Sequence, residues 1–116
     1  MKSLCLALAF LSALFAPTIF AADVTVTQTV VAVAATSTAT STRESRRLLI
    51  LSNVSDVAIS CKFGATAVAG EGIVLNPQPA SGSAGGVAFF DVAIPVGTLN
   101  CIHGGSGTKN LSVVEG

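Results

Sequence analysis

The side chains with the greatest capacity for chemistry in this chain are two cysteines and a single histidine. Cys61 and Cys101 each lie in a short run in which apolar residues alternate, and His103 follows Cys101 by two positions. Because alternate residues of a strand share a face, Cys101 and His103 are predicted to lie on the same side of one strand. In an oxidising compartment two such cysteines form a disulfide. We therefore expect a Cys61–Cys101 bridge.

Two other arrangements use the same residues. As reduced thiols, Cys61 and Cys101 would act as small apolar side chains of a core. Together with His103 they would supply three zinc ligands, but no fourth ligand has a matching spacing, and a disulfide would consume both thiols. We predict no metal site and no cofactor, and we expect His103, beside two glycines, to meet solvent at a strand end.

The sequence also lacks the motifs of common catalytic sites. A Ser-His-Asp triad would have to use His103, yet no Gly-x-Ser-x-Gly turn precedes a predicted helix. The glycine-rich segment 82–86 is not followed by the lysine of a phosphate-binding loop. No pair of acidic residues is predicted on strand ends near His103. The sequence therefore predicts a protein that is not an enzyme.

The N-terminus has the pattern of a secretory signal peptide. Lys2 precedes an apolar run from Leu4 to Phe15, and small residues follow at Ala21 and Ala22. The apolar run is shorter than the ~20 residues that cross a bilayer, and Pro17 would break a longer helix, so we favour a cleaved signal over a membrane anchor. We predict a signal peptide at 1–22, a single domain at 23–116 and an exported product, periplasmic or extracellular.

Charge and aromatic content narrow the classes of partner. Without Lys2, five basic and six acidic side chains remain, a formal charge of −1, so no surface for nucleic acid or anionic lipid is predicted. Arg43, Arg46 and Arg47 form a small cluster interrupted by Glu44, which we interpret as a solvated loop or strand end. The domain has no Trp or Tyr, which disfavours sugar binding by aromatic stacking.

The remaining sequence predicts about seven short strands and no amphipathic helix. Alternating or β-branched runs mark these strands at 24–34, with a bulge near Val30, and at 47–51, 57–63, 73–75, 87–94, 98–103 and 109–114. A Thr/Ser-rich stretch at 35–45 is predicted to be a loop. The connections are too short for crossover helices. The predicted fold is all-β, a small antiparallel β-sandwich or a partly open barrel.

Part of the domain resembles small β-rich structural proteins of tailed bacteriophages. In these, a strand with Arg-x-Leu-x-Ile-x-Asn-x-Ser leads to a strand with Ile-x-x-x-x-Gly; here residues 47–56 read RLLILSNVSD and residues 59–64 read ISCKFG. Segments 72–77, 94–102 and 107–116 are similar to later parts of such proteins, so the resemblance covers 46–116. It implies a virion-associated module of the capsid-decoration, head-fibre or tail-associated type. The signal peptide departs from that pattern, because tailed-phage particles assemble in the cytoplasm, and suggests an exported phage-encoded product or a cellular protein that has kept the module.

These observations lead to two functional hypotheses. The first is a non-enzymatic exported structural or interaction protein, possessing strands apolar on both faces at 47–51 and 87–94 that would contact further copies or other structural proteins. The second is a secreted adhesion or ligand-binding module that recognises a cell-surface polymer through Gly/Ser-rich loops at 81–86 and 104–107. Neither hypothesis needs nucleic acid or, once the signal is removed, a membrane.

Overall fold

The computed structural model describes residues 25–43 and 45–116, so the predicted signal peptide at 1–22 lies outside the described residues. The described regular structure consists of strands in two separate antiparallel sheets, which confirms the predicted all-β sandwich and excludes a closed barrel. The strands are β1 (Thr27–Val33), β2 (Thr38–Ser41), β3 (Leu49–Asn53), β4 (Ile59–Phe63), β5 (Ile73–Leu75), β6 (Val87–Phe90), β7 (Leu99–His103) and β8 (Lys109–Glu115).

The two sheets interleave along the chain. The first sheet has the order β1-β8-β3-β6, and the second has the order β2-β7-β4-β5. Only β4 and β5 are consecutive strands of the same sheet, and every other connection crosses between the layers. Neither sheet is therefore built from one continuous segment of the chain.

The core lies between the sheets and is aliphatic. Along β3 and β7, buried residues alternate with half-buried ones, as expected for strands that present one face to a core. The buried cluster comprises Val33, Leu49, Leu51, Ile59, Cys61, Leu75, Leu99, Cys101, Leu111 and Val113. At one end, the rings of Phe63 and Phe90 meet edge to face with centroids 5.9 Å apart. Every strand except β2 and β6 contributes a buried apolar side chain.

The predicted disulfide joins the two central strands of the second sheet. Cys61 of β4 and Cys101 of β7 are direct cross-strand partners, and their sulfur atoms are 2.07 Å apart. The N–H of Gly64 donates to the carbonyl oxygen of Thr98, so by alternation the cysteines form a non-hydrogen-bonded pair, the type in which Cα atoms approach most closely. Their Cα atoms are 4.1 Å apart. Both cysteines are fully buried, so the bridge lies in the core.

A long connection covers part of the outer face of the second sheet. Residues 64–72 leave β4 and return to β5 across this face. Ala67, buried in this connection, donates its N–H to the side-chain oxygen of Ser37. The N–H of Gly70 donates to the side-chain oxygen of Ser60. The connection therefore shields backbone and side chains that would otherwise face solvent.

The prediction of a loop at 35–45 is wrong for its central part, which forms β2. This strand pairs with β7, and the hydroxyl of Thr40 donates to the carbonyl oxygen of Leu99 over 3.0 Å. β2 is held by backbone pairing and hydroxyl hydrogen bonds instead of by apolar burial. Its sequence therefore shows no hydrophobic alternation. The predicted bulge in the first strand is also wrong, because β1 keeps regular register with β8. The irregularity lies in β2, between Ala39 and Ser41.

The strand predicted at 87–94 is shorter than expected. β6 ends at Phe90, and the following residues turn away from the sheet. Ala93 has a φ of 52°, a left-handed conformation that ends an extended strand. The exposed Val92 and Val96 consequently belong to the connection to β7 and not to a sheet face.

Replacing both Cys61 and Cys101 with Ala should destabilise the domain strongly. The bridge closes a separation of 40 residues, for which the chain-entropy model gives about 4 kcal/mol. We expect the free energy of unfolding, measured by urea titration, to fall by about that amount. An unchanged midpoint would show that the bridge constrains the unfolded chain little.

Candidate functional site

His103 is a buried structural residue, and the prediction that it meets solvent is wrong. Its exposed fraction is 2%. Nδ1 accepts the N–H of Gly105 at 3.0 Å, and Nε2 lies 2.7 Å from the carbonyl oxygen of Gly107. Because a carbonyl oxygen only accepts, Nε2 is the donor in this hydrogen bond. The turn at 104–107 therefore folds back over His103 and uses both ring nitrogens.

The structure brings Cys61, Cys101 and His103 onto the inner face of the second sheet, but not as a reactive set. The two sulfurs are bonded to each other. Within residues 25–43 and 45–116, no group of three or more His, Cys, Asp or Glu side chains converges as a metal site would require. No helix in that part of the chain is long and apolar enough to cross a membrane.

Two of the three glycines in the loop at 81–86, Gly85 and Gly86, support the scaffold. The carbonyl oxygen of Gly86 accepts the N–H of Asn53 at 2.9 Å, and its own N–H donates to the carbonyl oxygen of Asn76 at 2.8 Å. A Cβ on Gly85 would collide with the carbonyl oxygen of Asn53. The C-terminal end of this loop is therefore fixed by close backbone packing, and only its Ser81 to Ala84 part faces solvent.

Asn53 anchors the same end of the sandwich. Its fully buried side-chain amide donates from Nδ2 to the carbonyl oxygens of Val57, at 2.7 Å, and Leu75, at 2.9 Å. Its Oδ1 accepts the N–H of Ser55 at 2.9 Å. Asn53 also begins one of the two Asn-x-Ser sequences of the chain, the pattern required for N-glycosylation. The hydrogen bonds of its side-chain amide hold that amide within the core. The Asn of the second sequence, Asn110, is exposed on β8.

A buried ionic network closes the opposite end. The side chain of Arg46 is 1% exposed, and its Nε donates to Oε2 of Glu115 at 3.0 Å. Its two terminal nitrogens donate to the carbonyl oxygen of Gly97, at 3.2 Å, and to Oγ of Ser41, at 2.8 Å. The guanidinium also lies 5.9 Å from the centre of the Phe63 ring. The interpretation of this arginine as part of a solvated cluster is wrong: Arg46 ties β2, β8 and the connection before β7 together.

An open depression of about 380 Å³ adjoins this network. Residues 39–43 and Glu115 line it. Arg43 is exposed there, whereas Oε2 of Glu115 already accepts from Arg46 and Ser41. The depression is thus a polar notch between β2 and β8, whose acidic group serves the fold.

A second ion pair lies at the other end of β8. Nζ of Lys109 donates to Oδ1 of Asp56 at 2.7 Å. This hydrogen bond, together with a backbone hydrogen bond and the positive charge of the lysine, lowers the pKa of Asp56 below its ordinary 3.8. The carboxylate is mostly exposed, so the pair contributes little to stability.

The outer face of the first sheet is the most distinctive surface of the described residues. The inward positions of β3 and β8 are buried, so the residues between them point outward. Cross-strand register then defines this outer face as Gln28, Val30 and Ala32 of β1, Asn110, Ser112 and Val114 of β8, Ile50 and Ser52 of β3, and Val87 and Phe89 of β6. None of these side chains is charged.

Apolar side chains run across this outer face. Val114, Ile50 and Phe89 are direct neighbours on three successive strands. Phe89 is 57% exposed, Val87 is 55% exposed and Val30 is 62% exposed. The two charged residues of β8, Lys109 and Glu115, occupy inward positions at the two ends of the strand. The sequence indicated the apolar character of β3 and β6, but only the register shows that their outward residues adjoin.

Comparisons with protein-family models, with curated proteins and with solved structures gave no match. The protein is a small antiparallel β-sandwich. It has a disulfide within one sheet, a turn at 104–107 that is hydrogen-bonded to His103, and an uncharged outer face on the other sheet.

Replacing Arg46 with Met should lower the free energy of unfolding by about 3 kcal/mol, because it leaves the partly buried carboxylate of Glu115 without its cation. Arg43→Met, at an exposed position on the same segment, is the matched control and should change stability by less than about 0.5 kcal/mol. Urea unfolding measures both variants. Equal midpoints for the two variants would contradict a structural role for the network.

Proposed function

We propose that this protein is an exported, non-enzymatic structural protein that assembles with further copies of itself, and that the outer face of the first sheet is its contact surface. The resemblance of residues 46–116 to tailed-phage structural proteins supports a virion-associated or phage-derived setting. The disulfide buried between β4 and β7 is compatible with an oxidising compartment. The predicted signal peptide provides a route to that compartment.

The observation that carries this proposal is the contrast between the two outer faces. The outer face of the second sheet bears the 64–72 connection and the ion pair between Lys62 and Glu71. The outer face of the first sheet has no covering segment among the described residues and no charged side chain. An antiparallel sheet that faces water on one side normally presents polar and charged residues there. A contiguous exposed apolar patch is typical of an interaction site.

A second copy of the same surface is the partner that best fits this chemistry. A face without charge needs no complementary charge opposite it, and the row formed by Val114, Ile50 and Phe89 can pack on an identical row about a two-fold axis. Two sheets that pack face to face lie about 10 Å apart and interdigitate their side chains. A charged partner would leave its charges unpaired on this face.

Other features support a structural role over a ligand-binding one. In the loops proposed for polymer recognition, Gly85 and Gly86 pack on backbone, and the turn at 104–107 is tied to His103. Much of each loop therefore supports the fold. The outer face of the first sheet has no such internal role.

Introducing a positive charge on the outer face of the first sheet should abolish association through it. We expect Phe89→Lys and Val87→Lys to reduce the assembly seen by sedimentation velocity, because each would bury an unpaired ammonium group in the contact. Val74→Lys is the matched control: Val74 is 46% exposed and lies on the outer side of β5 in the second sheet.

The proposal predicts that the wild-type protein and Val74→Lys sediment as the same oligomer, while the two variants of the first sheet form smaller species. Thermal unfolding checks that all three variants remain folded. A monomeric wild type, or an assembly equally resistant to all three changes, would contradict the proposal.

A further inference from the structure

The four sheet edges differ in how well they are protected against pairing with another chain. β5 is only three residues long, and β2 has an irregular register. β6 has four residues and is followed by Asp91 and by the left-handed Ala93. β1 has seven residues, TQTVVAV, without charge, proline, glycine or register shift. Edge strands are usually short or carry charged residues, proline or an irregular register, because these features discourage pairing with other chains. β1 has none of these features.

The backbone groups on the free side of β1 can be assigned from the hydrogen bonds of its neighbours. Leu48 and Gly116 exchange two backbone hydrogen bonds, of 3.2 and 3.1 Å. In an antiparallel ladder such pairs recur at every second residue. Even-numbered residues of β8 therefore bond to β3, and its odd-numbered residues bond to β1.

It follows that the odd-numbered residues of β1 bond to β8 and that Gln28, Val30 and Ala32 point their N–H and C=O groups away from the sheet. All three of these residues are exposed. Their side chains belong to the outer face of the first sheet. The same three residues therefore present their backbone groups at the free edge and their side chains on the uncharged outer face.

We infer that β1 pairs antiparallel with β1 of a second copy, with a two-fold axis at Val30. In this register Val30 lies opposite Val30 of the second copy, and Gln28 lies opposite Ala32. Every outward N–H and C=O of these residues then finds a partner, and no like charges meet. The axis is perpendicular to the sheet, so both uncharged outer faces lie on the same side of one eight-stranded sheet.

The size of the outer face favours this arrangement. Four strands about 4.8 Å apart and about five residues long cover roughly 330 Å². A standard stable interface buries about 800 Å² per partner, so one face alone is small. Edge pairing doubles the continuous face to roughly 660 Å². Two such edge dimers packed face to face would form a closed tetramer. The inference rests on the proposed function, because it supplies the area that face-to-face association needs.

Disulfide trapping tests the register directly. In a Cys5→Ser background, Val30→Cys places two thiols on residues whose Cα atoms would be about 5.5 Å apart, within the range that a disulfide spans. Gln28→Cys is the control, since its two copies would be about 14 Å apart. We expect at least roughly tenfold more covalent dimer from Val30→Cys under mild oxidation. Equal yields from the two variants would overturn the register.

A backbone substitution tests the edge itself. Val30→Pro removes an N–H that points away from β8, so the β1–β8 ladder keeps its hydrogen bonds. Val30→Thr keeps that N–H and the β-branched shape. We expect Val30→Pro to lose the edge contact and Val30→Thr to retain it, with both variants folded by circular dichroism. Edge pairing that survives Val30→Pro would contradict the inference.

The two contacts are distinguished by combining the variants in sedimentation velocity. If both exist, Val30→Pro and Phe89→Lys each leave a dimer, and the double variant is a monomer. If the edge contact is absent, Val30→Pro sediments like the wild type and Val30→Cys gives no excess dimer, while Phe89→Lys still reduces assembly. If the face contact is absent, Phe89→Lys has no effect and Val30→Cys is still trapped.

Discussion

Cys61 and Cys101 face each other across the two central strands of the second sheet, and the rest of the sandwich is arranged around that bond. The strands that carry them contribute other buried residues, Ile59 and Leu99, and the first sheet packs against these from the other side. The bond also joins segments that are 40 residues apart in the sequence. The core is small and aliphatic, and the constraint of about 4 kcal/mol from this bond is a large fraction of the ~5–15 kcal/mol by which domains are stable. Because both cysteines are buried in the core, the bond occupies neither outer surface.

Alternation was sufficient to predict the fold class and most strands, because a strand such as β4 shows its inward face directly in the sequence. It missed β2, whose threonines and serine are held by hydrogen bonds and not by apolar burial. It also missed Arg46, since its partner Glu115 is 69 residues away and no local pattern marks the pair. For His103 the signal was present: it shares a face with Cys101 and Leu99, and that phase indicates burial more reliably than the glycines that follow.

The outer faces of the two sheets differ in how they are covered. On the second sheet, the 64–72 connection lies across the strands and buries Ala67. On the first sheet, β3 has apolar residues on both of its faces, and the outward Ile50 lies between Val114 and Phe89. The sequence predicted strands with apolar residues on both faces, but it carries no signal that shows whether another part of the same chain covers them. Among the described residues nothing does, and the free edge of β1 continues this surface. The proposed association between copies would explain both features.

The central claim is that an exported, disulfide-linked sandwich assembles with copies of itself. Native mass spectrometry of the protein recovered from each fraction of the producing cells and from their medium, under non-reducing conditions, tests it most directly, because each spectrum reports processing, oxidation and stoichiometry. The account predicts a chain that lacks residues 1–22, is two hydrogens lighter than its reduced mass and occurs in an even-numbered assembly. A full-length, reduced monomer retained in the cytoplasm would contradict it.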